Sequence, residues 1–132
     1  KITVFGGDQM RPNIHIEDMA DAYVQSLEWP DSAIDGKIFN VGYQNHRIID
    51  LAEMVKDIVG EDVEIVTEPT NDNRSYHVSS RKIAEELGFN PRRTVQDAIR
   101  DLKAAFQAKK ISNSLEDKRY YNIRTMQHLS LK

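Results

Sequence analysis

Four segments with a helical spacing of apolar residues set the main constraint on how this 132-residue chain folds. Apolar residues recur at intervals of three and four in each segment, which is the period of an amphipathic helix. Pro30, Gly60 and Gly88 close the first three segments, as residues that stop helices do. The predicted helices run from Ile16 to Leu27, from Ile48 to Val59, from Ser79 or Ser80 to Leu87, and from Val95 to Lys109.

Short runs of β-branched and aromatic residues between these segments predict strands. Asp31–Gly36 and Pro69–Arg74 are rich in turn-forming residues and predict loops. We therefore predict an α/β fold in the broad sense, a mixed α+β arrangement of short strands with about four helices and without a complete Rossmann sheet. The predicted strands are Ile2–Phe5, Lys37–Val41 and Val63–Thr67.

The composition narrows the classes of protein further. With 39% hydrophobic and 30% charged residues, the chain has the balance of a soluble globular domain. Its formal net charge of -3 predicts neither nucleic acid nor an anionic membrane as a partner, because both require a concentrated basic surface. The absence of cysteine excludes disulfides and thiolate metal sites within the chain.

The sequence also carries two expectations about its context. It has no apolar run of about 18 residues and no basic-then-apolar leader, which predicts a cytoplasmic protein. The chain begins at Lys1, next to the first predicted strand, so we expect it to be part of a longer polypeptide.

Local catalytic signatures are missing from the sequence. Gly6-Gly7 follows a strand but lacks the third glycine and the following helix of a dinucleotide fingerprint. No Gly-x-Ser-x-Gly elbow is present, and no tyrosine is followed by lysine four positions later. The four histidines lie on different predicted elements, which disfavours a metal site. We therefore predict no catalytic residue, no cofactor-binding residue and no metal ligand in this chain.

Two arginines are the strongest candidates for a binding role. Arg11 lies just before the first predicted helix, and Arg74 lies in a polar loop. A guanidinium presents a planar fork of N–H donors that matches two phosphate oxygens, so arginines on converging loops suit a diphosphate. The alternative is that each arginine is solvated or paired with a carboxylate.

Several motifs in order carry a resemblance to a known family. The segment from Ile2 to Asp18 resembles the first of these family motifs. That motif consists of a strand, a glycine turn, an arginine and a helix that begins with hydrophobic-His-hydrophobic-x-Asp. Phe39–Gly42, Asn71–Tyr76 and Leu87–Pro91 resemble later motifs of the same family. Through about Phe106 the chain resembles the C-terminal part of the extended short-chain dehydrogenase/reductases, the NAD-dependent nucleotide-sugar epimerases and dehydratases.

The resemblance implies a division of labour within a larger enzyme. It implies that residues 1–110 form the nucleotide-sugar substrate-binding domain, and that residues 111–132 are a packed or exchanged C-terminal extension. The Rossmann domain, which binds NAD or NADP and carries the Tyr-x-x-x-Lys chemistry, has no counterpart in this sequence. We therefore expect no cofactor and no catalytic activity for this chain alone, and only weak binding of a nucleoside diphosphate or nucleotide sugar.

The resemblance also assigns roles to single residues. It implies that Arg11 and Arg74 contact the substrate diphosphate and that Asp72 lies near the nucleotide ribose. His15 and Asp18 are expected to be structural, since an imidazole can satisfy nearby backbone groups and a carboxylate is favoured in a first helical turn.

Two other hypotheses stay open. In the first, the chain is a free-standing, self-associating interaction module with no ligand. A homodimer is expected whether the chain is a substrate-binding part or such a module, because removal of a neighbouring domain exposes apolar surface. Exchange of the tail around Tyr120 and Tyr121 is one way to form it. In the second, the chain is a small α+β domain with an unrelated active site, formed by residues that are distant in sequence.

Overall fold

Two short strand pairs and several helices make up the chain in a computed structural model, which describes residues 1–72 and 74–130. The chain divides into two compact units, Lys1–Arg100 and Asp101–Lys132. Whether the substrate-binding domain ends at residue 110 stays a prediction. In chain order the elements are β1 (Ile2–Phe5), β2 (Met10–Asn13), α1 (Ile16–Ser26), α2 (Asp31–Ile34), β3 (Gln44–Arg47), α3 (Ile48–Val59), β4 (Ile65–Glu68), α4 (Arg81–Leu87), α5 (Val95–Gln107), a 3-10 turn (Lys118–Tyr120) and α6 (Asn122–His128).

The strands form two separate pairs. β1 runs parallel to β4, with Ile2 opposite Ile65, and β2 runs antiparallel to β3, with Arg11 opposite His46. A parallel pair requires a long crossover, and here the crossover contains β2, β3 and three helices. α3 packs against β1, β3 and β4. α3 therefore lies beside both strand pairs.

A small apolar core joins α1 and α4 in the first unit. Ala22 on α1, Ile83 on α4 and Phe89 form a buried cluster. Gly88 ends α4 in the left-handed conformation, with φ of 71°, which glycine adopts without a Cβ penalty. That turn brings Phe89 back onto the helix that precedes it. The half-buried side chains around the cluster are Trp29, Phe39, Val41 and Leu87.

The predicted fold class is confirmed, and the four predicted helices are present. α3 has the predicted bounds, and Gly60 ends it. The structure describes six α-helices rather than about four, and the additional ones are α2 and α6. The loop predicted at Asp31–Gly36 is wrong, because the chain after Pro30 makes one helical turn, closed by Asp35 N donating to Asp31 O at 2.7 Å.

The strand predicted at Lys37–Val41 is also wrong. No described strand runs beside these residues, and instead the side chains of Phe39 and Val41 pack on the core cluster. Strand pairing starts after them, where Tyr43 N donates to Asn13 O at 2.9 Å and β3 joins β2. The predicted strand Val63–Thr67 is present as β4, which begins two residues later, at Ile65, and ends at Glu68.

The second unit is held by its own local hydrogen bonds. Tyr121 Oη donates to Leu115 O at 3.0 Å, and Thr125 Oγ1 donates to Lys118 O at 2.6 Å. The Arg124 guanidinium lies 4.1 Å from the centre of the Tyr121 ring. Among the described residues of the chain, no helix is long and apolar enough to span a membrane.

Candidate functional site

The structure brings the three sequence-predicted site residues together. Arg11 lies on β2, while Asp72 and Arg74 lie in the loop after β4. Arg11 Nη1 donates to Arg74 O at 2.7 Å, and Arg11 Nη2 lies 3.8 Å from Asp72 Oδ2. Asp72 Oδ2 also accepts a hydrogen bond from Arg74 Nη2 at 2.8 Å. Both guanidinium groups therefore lie within 4 Å of one carboxylate oxygen, and we call Arg11, Asp72 and Arg74 the arginine cluster.

The Asp72 carboxylate binds Arg74 through both oxygens. Arg74 Nε donates to Oδ1 at 2.7 Å and Nη2 donates to Oδ2, which is a fork-to-fork arrangement. The backbone N of Arg74 also donates to Oδ1, at 3.1 Å. Hydrogen bonds from the Arg74 side chain, and then from its backbone, hold the pKa of Asp72 well below its usual value, with a smaller contribution from the charge of Arg11. The same carboxylate raises the pKa of Arg74.

Backbone contacts hold the loop against the edge of β2. Met10 N donates to Ser75 Oγ at 2.9 Å, and Tyr76 N donates to Met10 O at 3.0 Å. Inside the loop, Asp72 N donates to Thr70 Oγ1 at 3.1 Å. Since β2 is paired with β3 on one side, these contacts use its other side. The loop therefore places Arg74 beside the residue that follows Met10, which is Arg11.

Gln9 joins this loop to the turn after β1. Its buried side chain donates from Nε2 to Asp72 O at 2.9 Å, and its Oε1 accepts from Gly7 N at 2.8 Å. Gly6 leaves the space for this side chain, because a Cβ there would clash with the Gln9 side-chain amide, and its φ of +78° favours glycine. Sequence reasoning missed Gln9, because nothing local marks a contact across 63 residues.

Tyr76 completes the surroundings of the two arginines. Its ring centre lies 5.4 Å from Arg11 Cζ, within cation–π distance, and it contributes to the raised pKa of Arg74. Arg11 Nη1 also donates to Met10 O at 2.9 Å. Two of the five N–H groups of Arg11 thus hold backbone carbonyls. The Nη2 end of its guanidinium faces Asp72. Sequence reasoning gave Tyr76 no role.

His15 and Asp18 have the structural roles that the sequence predicts. His15 Nδ1 accepts from Glu17 N at 3.2 Å and caps α1. Asp18 is 2% exposed, and its Oδ2 accepts from the backbone N atoms of Arg92 and Arg93 at 3.0 and 2.8 Å. Its Oδ1 accepts from Arg93 Nη1 at 2.7 Å. Asp18 therefore holds the segment before α5 onto α1.

Two cavities of the first unit are large enough to hold a small ligand. One of about 360 Å³ is lined by Gly6, Asp8, Gln9, Thr70 and Ser75, residues that flank the arginine cluster. Another, of about 420 Å³, is lined by the charged residues Asp18, Asp21 and Arg92. Both linings contain carboxylates, so the charge of the lining does not distinguish the two cavities. Within residues 1–72 and 74–130, no group of three or more acidic or histidine side chains could hold a metal ion.

The turn after β1 does not fit a dinucleotide. A fingerprint loop requires open space above its glycines and a helix directly after them. Here Gln9 fills the space above Gly6, and the chain continues as β2 rather than as a helix. We therefore assign no step to a nicotinamide bound in this part of the chain.

Proteins of known family that are similar to this chain show the family of the chain that carries the arginine cluster. Residues 1–42, which include Arg11, match the model of the NAD dependent epimerase/dehydratase family. The chain is 32% identical over 91 residues to a UDP-glucose 4-epimerase of Corynebacterium glutamicum, across 67% of this chain and 27% of that protein. The chain belongs to the NAD-dependent epimerase/dehydratase family. The family predicted from the sequence motifs is thus confirmed.

Solved structures share the fold of this family member. A UDP-glucose 4-epimerase of Thermotoga maritima, solved with UDP-glucose, matches 84% of this chain and 36% of its own, with a TM-score of 0.72 and 23% identity. An L-threonine dehydrogenase of Phytophthora infestans matches 82% of this chain and 37% of its own, with a TM-score of 0.71 and 10% identity. At these identities the likeness shows the fold alone. The chain spans 27% to 30% of the length of the curated relatives that it matches.

Proposed function

We propose that this chain is the C-terminal substrate-binding part of a nucleotide-sugar epimerase or dehydratase, and that Arg11 and Arg74 bind the diphosphate of its substrate. One observation carries the proposal: two guanidinium groups, 63 positions apart in sequence, lie within 4 Å of the same anionic oxygen, Asp72 Oδ2. A site that already holds a carboxylate between two arginines has the charge and the donor geometry for a phosphate.

Two further facts support a nucleotide diphosphate in particular. Curated relatives are named for UDP-glucose, dTDP-glucose and UDP-xylose chemistry. The cluster is also open to solvent, since the Arg74 side chain is 72% exposed, so a ligand can reach it. In this proposal Asp72 lies near the ribose, and the site is weak because another domain completes it.

The proposal assigns catalysis to residues outside this chain. Hydride transfer from a sugar requires a nicotinamide and a base, and the proposal places both in a Rossmann domain that binds NAD or NADP. This chain alone then binds substrate without turning it over. A cytoplasmic location, without nucleic-acid or membrane partners, belongs to the same proposal.

Calorimetric titration of the chain with UDP, dTDP, GDP and CDP tests this function. We expect one nucleotide to bind saturably, more weakly at higher salt, because exposed charges are screened. Arg11→Ala and Arg74→Ala should each weaken that binding about tenfold or more, the cost of losing a hydrogen bond to a charged group. Binding that survives both substitutions would overturn the proposal.

Three controls make the titration specific. Arg119→Ala removes an arginine with similar carboxylate contacts from the second unit, and should leave binding unchanged. Arg11→Lys keeps the charge but loses the fork, and should recover only part of the affinity. Thermal unfolding of each variant separates lost binding from lost structure, because Arg11 also holds the carbonyl of Arg74.

A self-associating interaction module is the second candidate function, and exposed apolar side chains favour it. Leu27 and Ile38, for example, are 86% and 85% exposed. This candidate requires such residues to form a contiguous apolar patch, because single apolar side chains are common on any protein surface. This candidate predicts a stable homodimer that is indifferent to nucleotides. Light scattering at high concentration tests it, and a monomer there would contradict both the module and the expected homodimer.

A further inference from the structure

The carboxylate of Asp72 occupies the position that an anionic ligand would take. It faces Arg74 through two hydrogen bonds of 2.7 and 2.8 Å and lies 3.8 Å from Arg11. A phosphate placed between the two guanidinium groups, where Asp72 Oδ2 lies, needs the Nε and Nη2 donors on that edge of Arg74. The carboxylate and the phosphate therefore cannot both have them.

We propose that Asp72 is an internal competitor of the diphosphate, and that its carboxylate must leave Arg74 before the ligand binds. This inference rests on the proposed function of the arginine cluster. Because Asp72 is part of the chain, its effective concentration at Arg74 is high, and a weakly held anion does not displace it. Asp72 thus sets an affinity threshold that favours ligands able to contact both arginines at once.

The loop is built so that the carboxylate can leave without unfolding. The backbone of Asp72 is held independently of its side chain, by Thr70 Oγ1 at its N and by Gln9 Nε2 at its O. Arg11 and Ser75 fix the following residues through the backbone of Arg74 and Met10. The exposed fraction of the Asp72 side chain is 39%, and ion pairs at such surfaces are weak. The carboxylate therefore lowers the affinity of a ligand by a modest factor and does not block the site.

The second unit contains a matched pair that lacks the site. This pair is Asp117 and Arg119. The backbone N of Arg119 donates to Asp117 Oδ1 at 2.9 Å, and its Nε and Nη2 donate to Asp117 Oδ2 at 2.9 and 2.6 Å. Both pairs are two residues apart, and in both the arginine is 72% exposed. The difference is that Asp72 faces a second guanidinium, on Arg11, and Asp117 shows no second guanidinium within 4 Å in the described chain.

The test is calorimetric titration of the 132-residue chain with inorganic pyrophosphate, which has no ribose and so isolates competition from any ribose contact. Asp72→Asn removes the charge and keeps the shape. We expect it to tighten pyrophosphate binding about fivefold or more, the effect of one unit charge at about 4 Å in water. Asp117→Asn should leave the affinity unchanged. The gain should shrink at high salt.

The outcomes separate this inference from the proposed function. If Asp72→Asn binds pyrophosphate no better than the wild type, while Arg74→Ala abolishes binding, the competitor role is overturned and the arginine site stands. An equal gain from Asp117→Asn would also overturn it, because the effect would then be one of net charge. Absence of binding in the wild type and in Asp72→Asn would overturn the arginine site together with the inference.

Discussion

Two aspartate–arginine networks in the first unit use the same chemistry in opposite settings. In each, a carboxylate accepts hydrogen bonds from an arginine side chain and from backbone N–H groups. Asp18 is 2% exposed and connects α1 to the segment before α5, across 75 positions. The Asp72 side chain is 39% exposed and binds an arginine two positions away, which is itself largely exposed.

Burial decides whether such a pair holds the fold or can exchange its partner. A buried carboxylate with several donors cannot exchange its partners for water without a large penalty, so Asp18 fixes the fold. An exposed pair contributes little to stability and can be replaced by another anion. We therefore assign stability to the Asp18 network and ligand exchange to the Asp72 network.

The largest effect is expected from Asp18→Ala. It leaves two backbone N–H groups without their acceptor and removes the buried carboxylate that faces Arg93, and breaking a buried pair costs about 3 kcal/mol. Urea unfolding measures the free energy. Asp21→Ala is the matched control, since Asp21 contacts the same guanidinium at 3.2 Å from an exposed position. Equal losses in the two variants would contradict the assignment.

Gly6→Ala should have the next largest effect. The substitution strains the backbone at φ of +78° and pushes Gln9 away, so we expect a loss of about 2 kcal/mol and weaker pyrophosphate binding. Gly36→Ala is the control, because its φ is +67° but nothing lies within 4 Å of the new Cβ. Unfolding and titration of both variants measure the two effects. Equal results would mean that the Gln9 contact is unimportant.

A smaller change in the free energy of unfolding is expected when the pH is lowered. Burial tends to raise the pKa of Asp18, but hydrogen bonds from the backbone of Arg93 and Arg92, and from the Arg93 side chain, outweigh it and lower the pKa below 3.8. A carboxyl with a lowered pKa stabilises the fold above its usual pKa, and loses this contribution as the pH falls through the lowered value. Unfolding free energies at about pH 5 and about pH 3 should therefore differ less in Asp18→Asn than in the wild type. A parallel decrease in the two proteins would show that Asp18 contributes nothing.

The smallest effect on stability is expected from Asp72→Ala. Water and salt screen an exposed ion pair, so the loss of this pair should barely move the urea midpoint. The same variant should bind pyrophosphate more tightly than the wild type, as we expect for Asp72→Asn. A loss of stability as large as that of Asp18→Ala would mean that both networks are structural, and the comparison would fail.

Local sequence patterns predicted the helices well. The apolar spacing and Gly60 define α3 at its observed bounds, and Gly88 ends α4 as expected. These features depend on neighbours within a few positions, which the sequence displays directly. β2 and β3 were not predicted, because Met10–Asn13 and Gln44–Arg47 are mostly polar and form through pairing with each other. The apolar run Lys37–Val41 has the opposite character, with strand-forming residues and no partner strand in the described chain.

The candidate site was also predicted only in part from the sequence. The motifs that resemble the epimerase/dehydratase family pointed to Arg11, Asp72 and Arg74, and the structure places these residues together. Their supports, Gln9 and Ser75, contact residues more than 60 positions away, and no spacing rule marks such contacts. Competition between Asp72 and a ligand also depends on distances that only the folded loop defines.

The most direct measurement is an NMR titration of the arginine side-chain Nε–Hε signals with UDP and with pyrophosphate. The account predicts that the signals of Arg11 and Arg74 shift together along one binding curve, while that of Arg119 stays in place. Shifts of similar size at Arg119 would indicate unspecific charge attraction. The absence of shifts at Arg11 and Arg74 on addition of either ligand would contradict the claim that the two arginines form one diphosphate site.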